Sequence, residues 1–147
     1  WSSIAFVVRS DKFSMLMLGD SYPCSIVESL KSIGYSTENP LSVDFVKISH
    51  HGSRNNISNE LLDMIDCDRF LISTNGGNGT SCHPDRETIA NIACHAKRDR
   101  NSPIHLYFNY SIKKIENVGY KFIEEKELEH YNIVVHEDVQ QITKELA

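Results

Sequence analysis

The 147-residue sequence predicts a layered α/β domain, and three observations lead to that class. Short apolar runs of strand length alternate with segments of helical periodicity. The connections between them are short, and clusters rich in Gly, Asn, His and Asp fall where the apolar runs end.

Each element has its own local reason. Residues 4–9 (IAFVVR) and 13–18 (FSMLML) flank Ser10-Asp11-Lys12, which predicts a β-hairpin, and the unbroken second run predicts burial on both faces. Residues 24–33 place Ile26, Val27, Leu30 and Ile33 at helical spacing before a stop at Gly34. Residues 43–48 (VDFVKI) alternate as a strand does. Ser58 is the expected N-cap of a helix over 59–66 with Leu61, Leu62 and Ile65 on one face. Residues 69–73 (RFLIS) predict a strand, and Pro84, Asp85 and Glu87 predict the start of a helix running to about Lys97. Residues 104–108 (IHLYF) predict a further strand. Beyond them, 118–123 and 132–136 are expected strands, 124–130 a solvated helical face, and 138–146 a weak helix. The expected order through residue 108 is ββαβαβαβ.

Composition excludes several classes. Apolar residues make up 40% and charged residues 24%, ordinary values for one globular domain. The apolar runs are far shorter than the roughly 20 residues that span a bilayer. A net charge of −5 carries no basic footprint for nucleic acid. The four cysteines, at 24, 67, 82 and 94, form no C-x-x-C pair and read as reduced, mostly buried thiols in a reducing, cytoplasmic compartment. No export leader opens the chain, although its start at Trp1 without Met predicts a fragment.

Three polar clusters sit at strand ends: Gly19-Asp20, His50-His51-Gly52-Ser53, and the loop 75–83 that ends in His83. In layered α/β proteins ligands bind beyond the carboxyl ends of the strands, so the clusters are expected on one rim. A carboxylate and imidazoles gathered there suit zinc or a similar divalent ion, and Asp20 has two oxygens with which to bridge a pair. Gly19 and Gly52 remove side chains where backbone comes close. Because neighbouring strand residues face opposite ways, one of His50 and His51 is expected to be a ligand and the other its neighbour. Taken singly, Gly-Asp is a common turn, His83-Pro84 a common helix start, and Cys82 a loop thiol. His95, His105, His130 and His136 lack ligand spacing.

The string V-D-F-V-K-I-S-H-H-G-S-R-N-N is similar to a strand and loop of metallo-β-lactamase-fold hydrolases of the ComEC-like group, the hydrolase domains close to a DNA-uptake protein. S-S-I-A-F-V-V with M-L-M-L-G-D resembles the hairpin that delivers that group's bridging aspartate, and L-I-S-T-N-G-G-N-G-T-S-C-H-P-D resembles its segment ending in Asn and His-Pro. The resemblance covers about residues 2–95. It implies that residues 1–147 form a single, partial domain, the C-terminal half of an αββα sandwich. It also implies a two-metal hydrolase using zinc, or manganese instead, on a phosphodiester or nucleic-acid substrate. Asp20 takes the bridging position and His51 that of the last histidine ligand. His50 and His83 take catalytic positions beside substrate, with Asn78 and Ser53 as substrate contacts and Asn78 orienting His83. The signature H-x-H-x-D-H of this fold is absent, which implies that its N-terminal half is missing. The chain alone is therefore expected to bind metal weakly and to be inactive. Pairing with that missing half, homo-oligomerisation through an uncovered sheet face, and a role as a metal-free binding or assembly module are the competing expectations.

Overall fold

The computed structural model describes residues 3–78, 81–116 and 120–142. The hairpin is present: β1 (Phe6–Arg9) pairs antiparallel with β2 (Ser14–Met17). Its turn is closed by Ser10, whose hydroxyl accepts from the N–H groups of Lys12 and Phe13.

The first helix, α1 (Pro23–Ser32), opens on Pro23 and buries Ile26, Val27 and Leu30, as the periodicity predicts. Ile33, expected on the same face, lies past the helix end and is 69% exposed. β3 (Leu41–Ser42) precedes β4 (Phe45–Lys47). α2 (Asn59–Asp63) is capped by the Ser58 hydroxyl, which accepts from the Leu61 N–H at 3.2 Å. This helix ends three residues before the expected 66, because β5 (Ile65–Asp66) leaves it to pair in parallel with β3. The pairing satisfies more backbone groups than a frayed last turn would.

β6 (Arg69–Ile72) is followed by a small hairpin of β7 (Gly77–Asn78) and β8 (Ser81–Cys82) where a plain loop is expected. α3 (Arg86–Cys94) is shorter than the expected 84–97; it is preceded by a cis His83-Pro84 bond and ended by an extended His95. β9 (Ile104–Phe108), α4 (Ile112–Ile115), α5 (Glu125–His130) and β10 (Ile133–His136) complete the order. α5 is solvated as expected, with no buried residue. Residues 120–123 form no strand, so the expectation over 118–123 fails where it can be read; 118 and 119 lie outside the described residues. Residues 138–142 are not helical, and the rest of the expected tail helix lies outside the described residues.

The main sheet has six strands in the order β1-β2-β4-β6-β9-β10, parallel from β2 onward. This is the mixed, layered α/β architecture with flanking helices. Alternation sorts the strands cleanly. Leu16, Val46, Phe70, Ile72, Leu106 and Phe108 face the helices and join the core formed with Ile26, Leu30, Leu61, Leu62, Ile89 and Ile92. One row on the opposite face follows the register across all six strands: Phe6, Met17, Lys47, Leu71, Tyr107, His136. No helix covers that face among the described residues; a groove of about 480 Å³ runs over it, and Val139–Ile142 flank the groove. β2 is therefore not buried on both faces: Leu16 is buried while Met15 and Met17 are half-buried.

Cys24, Cys67 and Cys94 are free thiols. The four cysteines are not mostly buried, since Cys24 and Cys94 are exposed and only Cys67 and Cys82 are half-buried. No helix among the described residues is long and apolar enough to cross a membrane.

Candidate functional site

Parallel pairing of β2, β4 and β6 puts their carboxyl ends on one rim. Asp20 follows β2, His50 and His51 follow β4, and His83 is reached from β6 through the β7–β8 hairpin. The sheet thus gathers the three polar clusters, and the loops are stitched together by backbone bonds. The His50 N–H donates to the Gly19 carbonyl at 2.9 Å, and the Asp85 N–H donates to the Gly52 carbonyl at 2.9 Å.

The two histidines are not strand residues. β4 ends at Lys47, and His50 and His51 both take left-handed backbone, with φ of 44° and 58°. Such a conformation costs a non-glycine residue about 1–2 kcal/mol, and strain of this kind gathers at functional sites. Strand alternation therefore does not divide the roles of His50 and His51, contrary to expectation. Their rings lie 6.1 Å apart, and the His50 ring lies 5.6 Å from that of His83.

Each ring has a defined neighbour. Nδ1 of His51 lies 2.6 Å from the Ser73 carbonyl just beyond β6. A carbonyl only accepts, so in the neutral ring Nδ1 carries the proton and Nε2 keeps its lone pair. Nδ1 of His50 lies 3.3 Å from Oδ1 of Asn56. Nδ1 of His83 lies at ion-pair distance from Asp85, 3.5 Å, but is not aligned for a hydrogen bond. Oδ2 of Asp85 instead accepts from the Arg54 N–H at 2.8 Å. Burial pushes the His83 imidazole below its ordinary range; Asp85 opposes that shift, and His50 and His51 add to it. His83 is thus held toward its neutral form.

The backbone of Asp20 is held by Ser3, whose hydroxyl accepts the Asp20 N–H at 2.8 Å, while its side chain is exposed. Lys47 is the nearby cation: burial pushes its ammonium below the ordinary range, and the negative charge of Asp20 pulls it back up. Its Nζ donates to the Ile48 carbonyl at 2.8 Å.

The two expected substrate contacts sit differently. Ser53 is 5% exposed, and its hydroxyl accepts from the Asn55 N–H to cap the turn at Arg54–Asn56. Asn78 is exposed on β7. Among the described residues, the groups bonded to the His83 backbone are the Gly76 carbonyl and the Thr74 hydroxyl. Asn56, Thr74, Asp85 and Ser73 are site residues that sequence reasoning missed. Asn56, in the polar run after the histidines, and Asp85, directly after His83-Pro84, carry readable signals; a backbone carbonyl such as that of Ser73 leaves none.

Gly52 allows the close approach that brings the His83 segment in. Its φ is 91°, and a Cβ there would lie 2.6 Å from the Pro84 Cβ. The Gly52 carbonyl also accepts from the Thr88 hydroxyl at 2.7 Å, which ties the first turn of α3 to the histidine loop.

No family model, curated protein or solved structure matches this chain. What the rim can do is therefore read from its chemistry. It combines an exposed carboxylate, an imidazole with a bare Nε2, and a second imidazole kept neutral. Among the described residues no group of three or more His, Cys, Asp and Glu side chains converges as a metal site. The residues present do not by themselves fit a catalytic zinc ion, which takes about three protein ligands.

Proposed function

We propose that this chain is one side of a hydrolytic centre, the C-terminal half of a metallo-β-lactamase-fold hydrolase of the ComEC-like kind. The carrying observation is that the loops bearing Asp20, His50 with His51, and His83 follow strands whose carboxyl ends share one rim, with the His50 ring 5.6 Å from that of His83 and both adjacent histidines in left-handed backbone. Strain held in two consecutive residues serves the placement of their side chains.

In this reading Asp20 and His51 are ligands, and the remaining ligands come from a segment bearing H-x-H-x-D-H. A zinc or manganese pair held jointly would supply activated water. The chain's own groups have narrower tasks. The Ser73 carbonyl holds the His51 ring through Nδ1, which leaves Nε2 as the atom for a ligand. His83, held toward its neutral form, accepts or relays a proton near neutral pH. A phosphodiester, nucleic acid among them, is the substrate class that the resemblance implies. The open part of the sheet face supports a sandwich, because a face bearing the exposed Phe6 and the half-buried Met15, Met17 and Leu71 is what a second sheet would cover. The same face favours the rival reading of a binding or assembly module.

Calorimetric zinc titration of the full gene product, with Asp20→Ala and His51→Ala, separates the two. The hydrolase reading expects two ions bound, fewer or weaker ions in each variant, and zinc-dependent cleavage of bis(p-nitrophenyl) phosphate. Two ions retained by both variants would remove these residues from the centre. No zinc binding at all would leave the assembly role.

A further inference from the structure

We infer that Asn56 is a positioning residue that selects the tautomer of His50 and couples it to the Asp20 turn. Asn56 is 5% exposed, and its side-chain amide is bonded on both sides. Nδ2 donates to the carbonyls of Asp20 and Ser21 at 3.1 and 3.2 Å. Both partners only accept, so the amide cannot be flipped without setting Oδ1 against two carbonyl oxygens. Oδ1 is therefore the atom that meets Nδ1 of His50, at 3.3 Å.

The consequence for His50 follows from donor and acceptor counting. An amide oxygen accepts, so the neutral imidazole must carry its proton on Nδ1. Nε2 is left with its lone pair. Free imidazole side chains in water favour the opposite, Nε2–H form, so the tautomer is imposed by the fold. An Nε2 lone pair is what a metal ligand or a proton acceptor needs, and an Nε2–H would block both.

The same amide holds the backbone of the Asp20 turn, and the Ser49 hydroxyl adds a parallel tie to the Ser21 carbonyl at 3.0 Å. Asn56 is thus bonded to the loop after β2 and to the loop after β4 at once. The Ser49 hydroxyl is bonded to the first of these, whereas the His50 Nδ1 is bonded to Asn56, which makes Ser49 a control. The inference deepens the proposed use of His50 but does not depend on hydrolysis.

Nitrogen NMR of the imidazole rings at pH 8, on the metal-free chain, reads the tautomer directly. The expected result is an Nδ1–H signature for His50 in the unaltered protein and a shift toward the Nε2–H form in Asn56→Ala. Asn56→Asp, which keeps an acceptor at the Oδ1 position, is expected to restore the Nδ1–H form even if the chain is less stable. Ser49→Ala is expected to weaken the loop and leave the His50 tautomer unchanged. An Nε2–H signature in the unaltered protein overturns the inference. So does an unchanged tautomer in Asn56→Ala, or an equal shift in Ser49→Ala. If Asn56→Ala does not fold, the unaltered protein and Asn56→Asp still decide the matter. None of these results bears on whether zinc binds, so the tautomer and the proposed hydrolase stand or fall separately.

Discussion

Gly52 packs so closely on Pro84 that an added methyl group would overlap the proline Cβ, at 2.6 Å. The contact joins the histidine loop to the start of α3, where the Gly52 carbonyl also receives the Asp85 N–H and the Thr88 hydroxyl. Gly52→Ala combines left-handed strain with a clash against ring and backbone, and is expected to cost more than about 2 kcal/mol. Gly34→Ala has a similar φ of 93° but nothing within 4 Å of the new methyl, so it isolates the strain at about 1 kcal/mol. Urea denaturation of the two variants checks the difference; equal losses would show that the Pro84 contact yields freely.

The left-handed turn at His50 makes a second prediction. His50→Gly and His50→Ala both delete the ring and its contact to Asn56, but only alanine keeps the strained φ of 44°. Glycine is expected to be the more stable replacement by about 0.5–1 kcal/mol, the strain relieved less glycine's own entropy cost. Alanine matching glycine in a urea melt would mean that the turn relaxes when the ring is gone.

A third prediction concerns pH. His105 and His136 share a 3.0 Å contact on the open face, and His136 stacks on Tyr107 with 4.3 Å between centroids. Burial, and then the neighbouring His105, push the His136 imidazole below its ordinary range. Its folded pKa is thus below its unfolded value near 6.5, and the unfolded chain takes up the proton first on acidification. The stability tied to neutral His136 is full above about pH 6.5 and is lost as pH falls below it. Melting temperatures at pH 7.5 and 5.5 should therefore differ more in the unaltered protein than in His136→Gln. An equal difference in the two would place the acid sensitivity elsewhere.

Thiol reactivity gives a fourth. Burial drives the Cys67 thiol up to about 12, and its Sγ is engaged with the Arg69 backbone at 3.3 and 3.4 Å. Cys24 and Cys94 are exposed. At pH 8, Ellman's reagent should label Cys24 and Cys94 quickly and Cys67 only on unfolding, since the thiolate is the reacting form. Fast labelling of Cys67 in the native chain would contradict its burial.

Legibility in the sequence followed the range of the interactions. The hairpin, α1, the cap at Ser58, β6 and β9 were readable because local periodicity and turn chemistry specify them. The end of α2 was not, because Ile65 and Asp66 pair with Leu41 and Ser42 far back in the chain. Nothing in the sequence marks that partner. The rim is readable as a set of strand ends, whereas the relation of His50 to His51 is not: strand alternation stops at Lys47, before either histidine. Asn56 and the Ser73 carbonyl escaped notice because their importance lies in which atoms they face. A one-dimensional pattern does not encode that.

The edge strand β1 carries a consequence for the chain in solution. Among the described residues its outer side has no strand partner in the sheet order, and Phe6, Val7 and Val8 are 50%, 37% and 40% exposed. Unpaired N–H and C=O groups beside exposed apolar side chains form a template onto which another strand can add. Asp11 and Lys12 at the hairpin tip put charge at one end of that template, but the strand itself has only Arg9. Self-association through β1 is therefore expected to rise with protein concentration, which light scattering across a dilution series checks; a mass that does not change with concentration would mean that this edge is protected.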